Sequence, residues 1–115
     1  MRKARVLVQG EPAGVLEEIE TGRGYRFSYL PGYRSAPVSL TMPLQKAEYH
    51  FDDFPPFFEG LLPEGFQLEA LLRLAKIDER DYLSQLVAVG ADLVGAVTVE
   101  SIEESELLRS SGPAF

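Results

Sequence analysis

Two glutamates, Glu59 and Glu64, stand in the segment FFEGLLPEG, which otherwise holds large apolar side chains, two glycines and a proline. Paired carboxylates can act as general acid and general base, as in glycosidases, if the fold sets them at a suitable separation in a cleft. Nothing in the sequence indicates such a cleft. We favour a simpler interpretation, in which Glu64 complements a helix N-terminus, worth about 0.3–1 kcal/mol, and Glu59 is an exposed polar break in an apolar turn.

The only histidine, His50, lies in the segment EYHFDDF beside Glu48, Asp52 and Asp53. Carboxylates and an imidazole can bind a metal ion, but these residues follow no established ligand spacing, so an exposed acidic loop is the better interpretation. A Ser-His-Asp set would also need this imidazole as its base. The sequence therefore predicts no catalytic, metal-binding or cofactor-binding residue.

The composition is that of one globular domain: 115 residues, of which 45% are hydrophobic and 25% charged. No apolar run approaches the ~20 residues that span a bilayer, and the N-terminus leads into a strand pattern instead of a signal sequence. The absence of cysteine suits a reducing compartment, and the net charge of -7 opposes binding to phosphate backbones. We expect a cytoplasmic protein that binds neither membrane nor nucleic acid directly.

The first forty residues have the pattern of an antiparallel meander. Three short, β-rich runs are separated by turn residues: KARVLVQ from Lys3, GVLEEIE from Gly14 and GYRFSYL from Gly24. The alternating segment VSLTM, residues 38–42, predicts a fourth strand. Residues 43–63 hold several prolines and aromatics, which predicts irregular backbone with one short helical turn.

Two helices are predicted next, the first with Leu68, Leu71, Leu72 and Ala75 at helical spacing. The first begins near Pro63, which suits a first helical turn, and the second begins at the candidate N-cap Asp78 and stops at Gly90. The apolar segment DLVGAVTVE then predicts a strand buried within the sheet. The expected fold is α+β: a mostly antiparallel sheet, a meander of about four to five strands, with a two-helix hairpin packed on it. We expect a single domain over residues 1–104 and a flexible tail over 105–115.

Three blocks of this sequence resemble the N-terminal subdomain of HipA-type Ser/Thr kinases, the toxins of bacterial toxin–antitoxin systems. They are PVSLTMPL, FFEGLLPEG and VGADLVGAV, and they occur in the order found in that family. The resemblance covers roughly residues 3–100. It departs from the family at Phe66 and Gln67, where a basic residue is common, and at Ala91, where arginine is common.

The resemblance implies a function without catalysis, since the family's kinase core lies downstream of this subdomain and this chain has no room for it. The chain is similar to the small, HipS-like antitoxin subunit of split, three-gene HipBST-type systems, which binds a kinase lacking the subdomain. The expected partner is thus a HipA-like Ser/Thr kinase (a HipT-like toxin). The candidate contact residues combine apolar anchors with two rim carboxylates: Phe54, Phe57, Phe58, Glu59, Leu61, Leu62 and Glu64.

Other interpretations stay open. The chain could be an excised N-terminal fragment of a full HipA-like kinase, or an assembly module that contacts a HipB-like DNA-binding repressor. A small hydrolase using Glu59 and Glu64 is the least favoured interpretation. Each of the candidate anchors could equally belong to the domain's own core.

Overall fold

The computed structural model of this protein describes residues 2–20, 23–93 and 95–102. Five strands form one antiparallel sheet: β1 (Arg2–Val8), β2 (Glu11–Glu20), β3 (Arg23–Tyr29), β4 (Glu48–Phe51) and β5 (Val97–Ile102). Between β4 and β5 the chain forms three helices: α1 (Pro56–Glu59), α2 (Gly65–Ala75) and α3 (Tyr82–Val89), the last continued by a 3₁₀ turn, Gly90–Asp92. The predicted α+β class and the antiparallel sheet are confirmed.

The strands lie in the order β4-β3-β2-β1-β5, so the first three form the expected meander. The β1–β2 turn places Gln9 and Gly10 at φ 50° and 82°, the positive values that tight hairpins require. Strand β2 starts at Glu11, earlier than expected, and includes Pro12 beside a register shift in β1. Irregular pairing of this kind is where a sheet tolerates proline.

One face of the sheet carries the core. Strand β3 presents Tyr25 and Phe27 to it and leaves Arg26 on the other face, as the period of two requires. Helices α1 and α3 cover this face with Phe58 and Leu86, both fully buried. The opposite face carries cross-strand ion pairs: Arg26–Glu17 at 2.9 Å, Lys3–Glu17 at 3.7 Å and Arg5–Glu100 at 2.6 Å.

The helical hairpin of α2 and α3 is confirmed, but both helices begin later than expected. Helix α2 begins at Gly65, and the preceding Glu64 makes no side-chain capping bond. Helix α3 is capped by Asp81, not by Asp78, because the Asp81 carboxylate accepts a hydrogen bond from the Ser84 N–H at 3.3 Å. Two aspartates three residues apart are both plausible caps, and only the packing of α3 selects one.

The segment VSLTM was predicted as a strand, and that prediction is wrong. It forms a turn in which Ser39 and Met42 make an isolated bridge. Val38 and Met42 are buried while Leu40 is exposed, so the alternating pattern arises from the two legs and the tip of a turn. The fourth strand is instead Glu48–Phe51, in the stretch expected to be irregular, where it pairs with β3.

The predicted last strand is confirmed as β5, but its expected place within the sheet is wrong, because β5 is an edge strand. Its apolar character has another cause. Val97 and Val99 are buried under the end of α3 and the 3₁₀ turn. At Gly90 a Cβ would lie 1.9 Å from the Val99 carbonyl oxygen, so only glycine lets the two backbones approach so closely.

The predicted flexible tail, residues 105–115, lies outside the described residues. In the part of the chain that the structure does describe, no helix has the length and apolar character needed to cross a bilayer.

Candidate functional site

The segment FFEGLLPEG, residues 57–65, includes the last three residues of α1, the connection that follows and the first residue of α2. Pro56 occupies the first turn of α1, where its missing N–H has no helical partner to lose. Helix α1 ends at Gly60, whose N–H donates to the Pro56 carbonyl oxygen at 3.0 Å. The backbone is extended at Glu64 and left-handed at Gly65, whose φ is 59°, and α2 runs on from that glycine. The prolines and glycines therefore mark two helix starts and one helix end.

The structure separates the seven predicted contact residues into three groups. Phe54 and Phe58 are 5% and 0% exposed and belong to the core. The Phe58 ring lies 5.8 Å from that of Phe27, and the Phe54 ring meets Tyr25 edge-on at 5.2 Å. The half-buried side chains that pack on the core from outside are Phe57, Leu61 and Leu62. The two carboxylates, Glu59 and Glu64, are exposed.

An open groove of about 520 Å³ lies between this segment and the two longer helices. Its lining brings both carboxylates into one place, together with apolar and neutral polar groups: Pro56, Glu59, Gly60, Leu62, Pro63, Glu64, Leu68, Tyr82 and Gln85. We call this the α1–α3 groove. The two carboxylates are the only charged side chains among these lining residues, and the sequence did not indicate that they would border one groove.

A polar clamp fixes α3, one wall of this groove, to the sheet. Arg2 donates to the Glu18 carboxylate at 2.8 and 2.9 Å and to the Asp81 carboxylate at 2.8 and 3.2 Å. It also donates to Ser84 Oγ at 2.8 Å. Planar guanidinium groups suit such paired contacts. The start of α3 is thus tied to β1 and β2.

The clamp shifts the ionisation of its members. Hydrogen bonds to Glu18 and Asp81 raise the pKa of Arg2 above its ordinary value. Burial by itself would raise the pKa of Asp81, but hydrogen bonds from Arg2 and Ser84 outweigh it and hold that pKa below the ordinary value. Burial, followed by the charge of Glu18, raises the pKa of Tyr25 to about 12.

Helix α2 is the least buried part of the site. None of its residues is buried, although Leu68, Leu71 and Leu72 are half-buried on the side toward the rest of the domain. Phe66 is 90% and Leu74 82% exposed. We call Phe66 and Leu74 the outer stripe; Ala70, which lies between them at spacings of four residues, is half-buried.

The outer stripe was not among the predicted contact residues. A signal for it was present: the apolar residues of α2 fall on two sides of the helix, whereas a helix with one buried face has a single apolar face. Our prediction used only Leu68, Leu71, Leu72 and Ala75 as the apolar face; the three leucines are half-buried and Ala75 is exposed.

The histidine considered for catalysis or metal binding lies apart from this surface, whereas Glu59 and Glu64 line the α1–α3 groove. His50 is on the short edge strand β4, exposed, with its Nε2 3.6 Å from a Glu48 carboxylate oxygen. Within residues 2–20, 23–93 and 95–102, no three His, Cys, Asp or Glu side chains are grouped so as to hold a metal ion.

Comparisons with known proteins identify what this chain is similar to. The family profile described as the HipA N-terminal domain matches residues 4–100. An uncharacterized protein of Haemophilus influenzae is 35% identical over 100 residues, spanning 87% of this chain and 92% of that protein.

Two further similarities involve a kinase and a solved structure. The putative kinase Y4dM of Sinorhizobium fredii is 31% identical over 107 residues, which are 85% of this chain and 26% of the kinase. A solved structure described as the N-terminal domain of HipA toxin superposes with a TM-score of 0.72 at 34% identity. That match covers 90% of this chain and 95% of the solved one.

Proposed function

This chain belongs to the HipA N-terminal domain family, and we propose that it is the antitoxin of a bacterial toxin–antitoxin system. In this role it is a non-catalytic regulatory subunit that binds and restrains, in the cytoplasm, a HipA-like Ser/Thr kinase lacking this subdomain. The observation that carries the proposal is the outer stripe of α2, two large apolar side chains held in solvent by a helix with no buried residue.

Contact with a second protein would stabilise this helix. A short helix is marginal in water unless one face packs, and the described residues bury no residue of α2 and leave Phe66 and Leu74 exposed. Covering Phe66 and Leu74 would bury two large apolar side chains, each worth about 1.5–3 kcal/mol. The adjoining α1–α3 groove supplies Glu59 and Glu64 as a charged rim around the apolar contact.

The relatives support docking between separate chains. In Y4dM, named a putative kinase, the matched region is about a quarter of the protein. In the Haemophilus influenzae relative it is nearly the whole protein. A domain that packs within one chain in the first arrangement can form the same contact between two chains in the second.

Co-expression with the kinase encoded beside this chain tests the proposal. The wild-type chain should restore growth and co-purify with the kinase. Leu74→Asp should abolish both effects, while Gln67→Asp, a substitution at an exposed polar position of the same helix, should preserve them. Because both positions are exposed, the melting temperatures of the two variants should match the wild type. A wild-type chain that neither binds nor rescues would overturn the proposal.

A second candidate is that this sequence is the N-terminal part of a longer HipA-like kinase, which the match to Y4dM favours. The outer stripe would then pack against the kinase region of the same chain. Immunoblotting of the natural host with an antibody against this domain separates the two, because one arrangement yields a small protein and the other a kinase-sized one. If a HipB-like repressor co-purifies with the complex, this chain would also act as an assembly module that contacts the repressor.

A further inference from the structure

The segment between β3 and β4 holds a tight turn, Ser39–Met42, which we call the Leu40 turn. The Met42 N–H donates to the Ser39 carbonyl oxygen at 3.0 Å. The Ser39 hydroxyl accepts from the Thr41 N–H at 3.1 Å and lies 2.8 Å from the Thr41 hydroxyl. These bonds hold one defined backbone conformation, so little conformational freedom remains to be lost at the tip on binding.

A half-buried tyrosine, Tyr29, connects the two legs of this turn. The Tyr29 hydroxyl accepts a hydrogen bond from the Val38 N–H at 2.9 Å and donates one to the Met42 carbonyl oxygen. Val38 and Met42 are themselves buried in the core. Tyr29 stacks on Tyr33 with ring centroids 5.9 Å apart and planes nearly parallel. The turn is thus anchored at its base by both packing and hydrogen bonds.

Leu40 projects from the tip and is 94% exposed, more than Phe66 or Leu74. A single exposed leucine is ordinary on a protein surface. This one differs because its backbone is held rigidly on both sides. A preorganised apolar side chain is what a protein–protein contact uses as an anchor.

The charge around the turn is opposite to that of the whole chain. Residues 30–47 include Arg34 and Lys46 and no acidic residue, in a chain with 18 acidic and 11 basic residues. Glu11 reaches this loop, where it accepts a hydrogen bond from Ser35 Oγ at 2.9 Å. Among the described residues, neither Arg34 nor Lys46 forms an ion pair within 4.0 Å. The Lys46 Nζ lies over the Tyr49 ring, 5.2 Å from the ring centroid, so a partner carboxylate would meet Lys46 beside this ring.

We propose that the Leu40 turn is a second docking element, at which Leu40 fills an apolar pocket bordered by carboxylates on the partner kinase. This inference rests on the proposed function. Val38, Met42 and Phe58 share one core cluster, so the turn lies on the same face of the sheet as the helices. One partner covering that face can contact both the outer stripe and the turn.

Other occupants fit the charges less well. Two copies of this chain meeting turn to turn would oppose Arg34 and Lys46 with identical cations, since a two-fold interface pairs a patch with itself. Two copies also carry the same net charge of -7 and repel at long range. Nucleic acid requires an array of cations, whereas this loop offers two.

Binding of the purified chain to the purified neighbouring kinase, inactivated at its catalytic aspartate, tests the inference. Leu40→Asp should weaken the Kd tenfold or more, and the matched Leu40→Met should stay within about twofold because it keeps an apolar side chain of similar size. A double change, Arg34→Glu with Lys46→Glu, should slow association and flatten its salt dependence. All three should melt like the wild type.

The outcomes are distinguishable. If the wild-type chain binds and Leu40→Asp binds equally well, the inference fails while the proposed function stands. If the wild-type chain does not bind, the proposed function and this inference fail together. If sedimentation shows a dimer that Leu40→Asp dissolves without changing kinase binding, the turn contacts a second copy and the inference is overturned.

Discussion

Arg2 and Asp81 are joined by two hydrogen bonds, Nη2–Oδ1 at 2.8 Å and Nη1–Oδ2 at 3.2 Å, although 79 residues separate them in the chain. The same guanidinium binds the carboxylate of Glu18, which is only 5% exposed. A strand at one end of the sequence thereby holds the N-terminus of α3. Since α3 forms one wall of the α1–α3 groove, this contact positions the candidate site.

Asp81→Asn should reduce the free energy of unfolding by about 1–2 kcal/mol at pH 7, because it removes one charge from the clamp while keeping its shape. The pKa of Asp81 is lowered in the folded protein. Its stabilising contribution is therefore complete above the ordinary aspartate pKa of about 4 and is lost as the pH falls through the lowered value. Urea unfolding of the wild type and the variant at pH 7 and at pH 3 measures the loss of stability and its dependence on pH.

The exposed pair Arg5–Glu100 provides a control for this experiment. Its atoms approach to 2.6 Å, but the Glu100 side chain is 52% exposed. Glu100→Gln should cost less than about 1 kcal/mol, since water and salt screen exposed pairs. Equal losses for Glu100→Gln and Asp81→Asn would contradict a special role for the clamp.

Tyr25 should ionise far above the usual range for tyrosine, since burial and the charge of Glu18 raise its pKa to about 12. A raised pKa means that its stabilising contribution is complete below the unfolded value of about 10 and is lost as the pH rises toward 12. The difference in phenolate absorbance between wild type and Tyr25→Phe reports this titration. A difference spectrum with its midpoint near 10 would disprove the shift.

Gly90→Ala should cost about 3 kcal/mol or more, because the new Cβ meets the backbone of Val99 and an edge strand must move to admit it. Gly60→Ala is the matched change. Its Cβ would lie 3.5 Å from two carbonyl oxygens, in ordinary contact, and its φ of -64° suits alanine. Chemical denaturation should therefore place Gly60→Ala within about 1 kcal/mol of the wild type.

Phe58→Ala and Phe66→Ala should separate the core from the docking surface. Phe58 is fully buried, so its truncation should cost about 3–5 kcal/mol of folding stability. Phe66 is 90% exposed, so its truncation should change stability by less than about 0.5 kcal/mol and act on kinase binding instead. Thermal melts together with pull-down assays read both effects. A large drop in melting temperature for Phe66→Ala would place it in the core.

The sequence by itself determined the features that depend on neighbours along the chain. The β-rich run GYRFSYL predicted β3, and because a strand repeats every two residues, its Tyr25 and Phe27 share the buried face. The order of the three family blocks pointed to the same family that the profile and the solved structure then showed. Helices α2 and α3 followed from their apolar spacing, to within a few residues at their starts.

Only the tertiary structure decided which apolar side chains face inward. The same alternation in VSLTM suited a strand, but with Tyr29 bonded to both legs it closes into a turn and exposes Leu40. In FFEGLLPEG, Phe58 is enclosed by partners distant in sequence, such as Phe27, and on α2 the outer stripe is left uncovered. The spacing of apolar residues along a segment indicates its secondary structure, whereas the burial of each side chain depends on which distant segments pack against it.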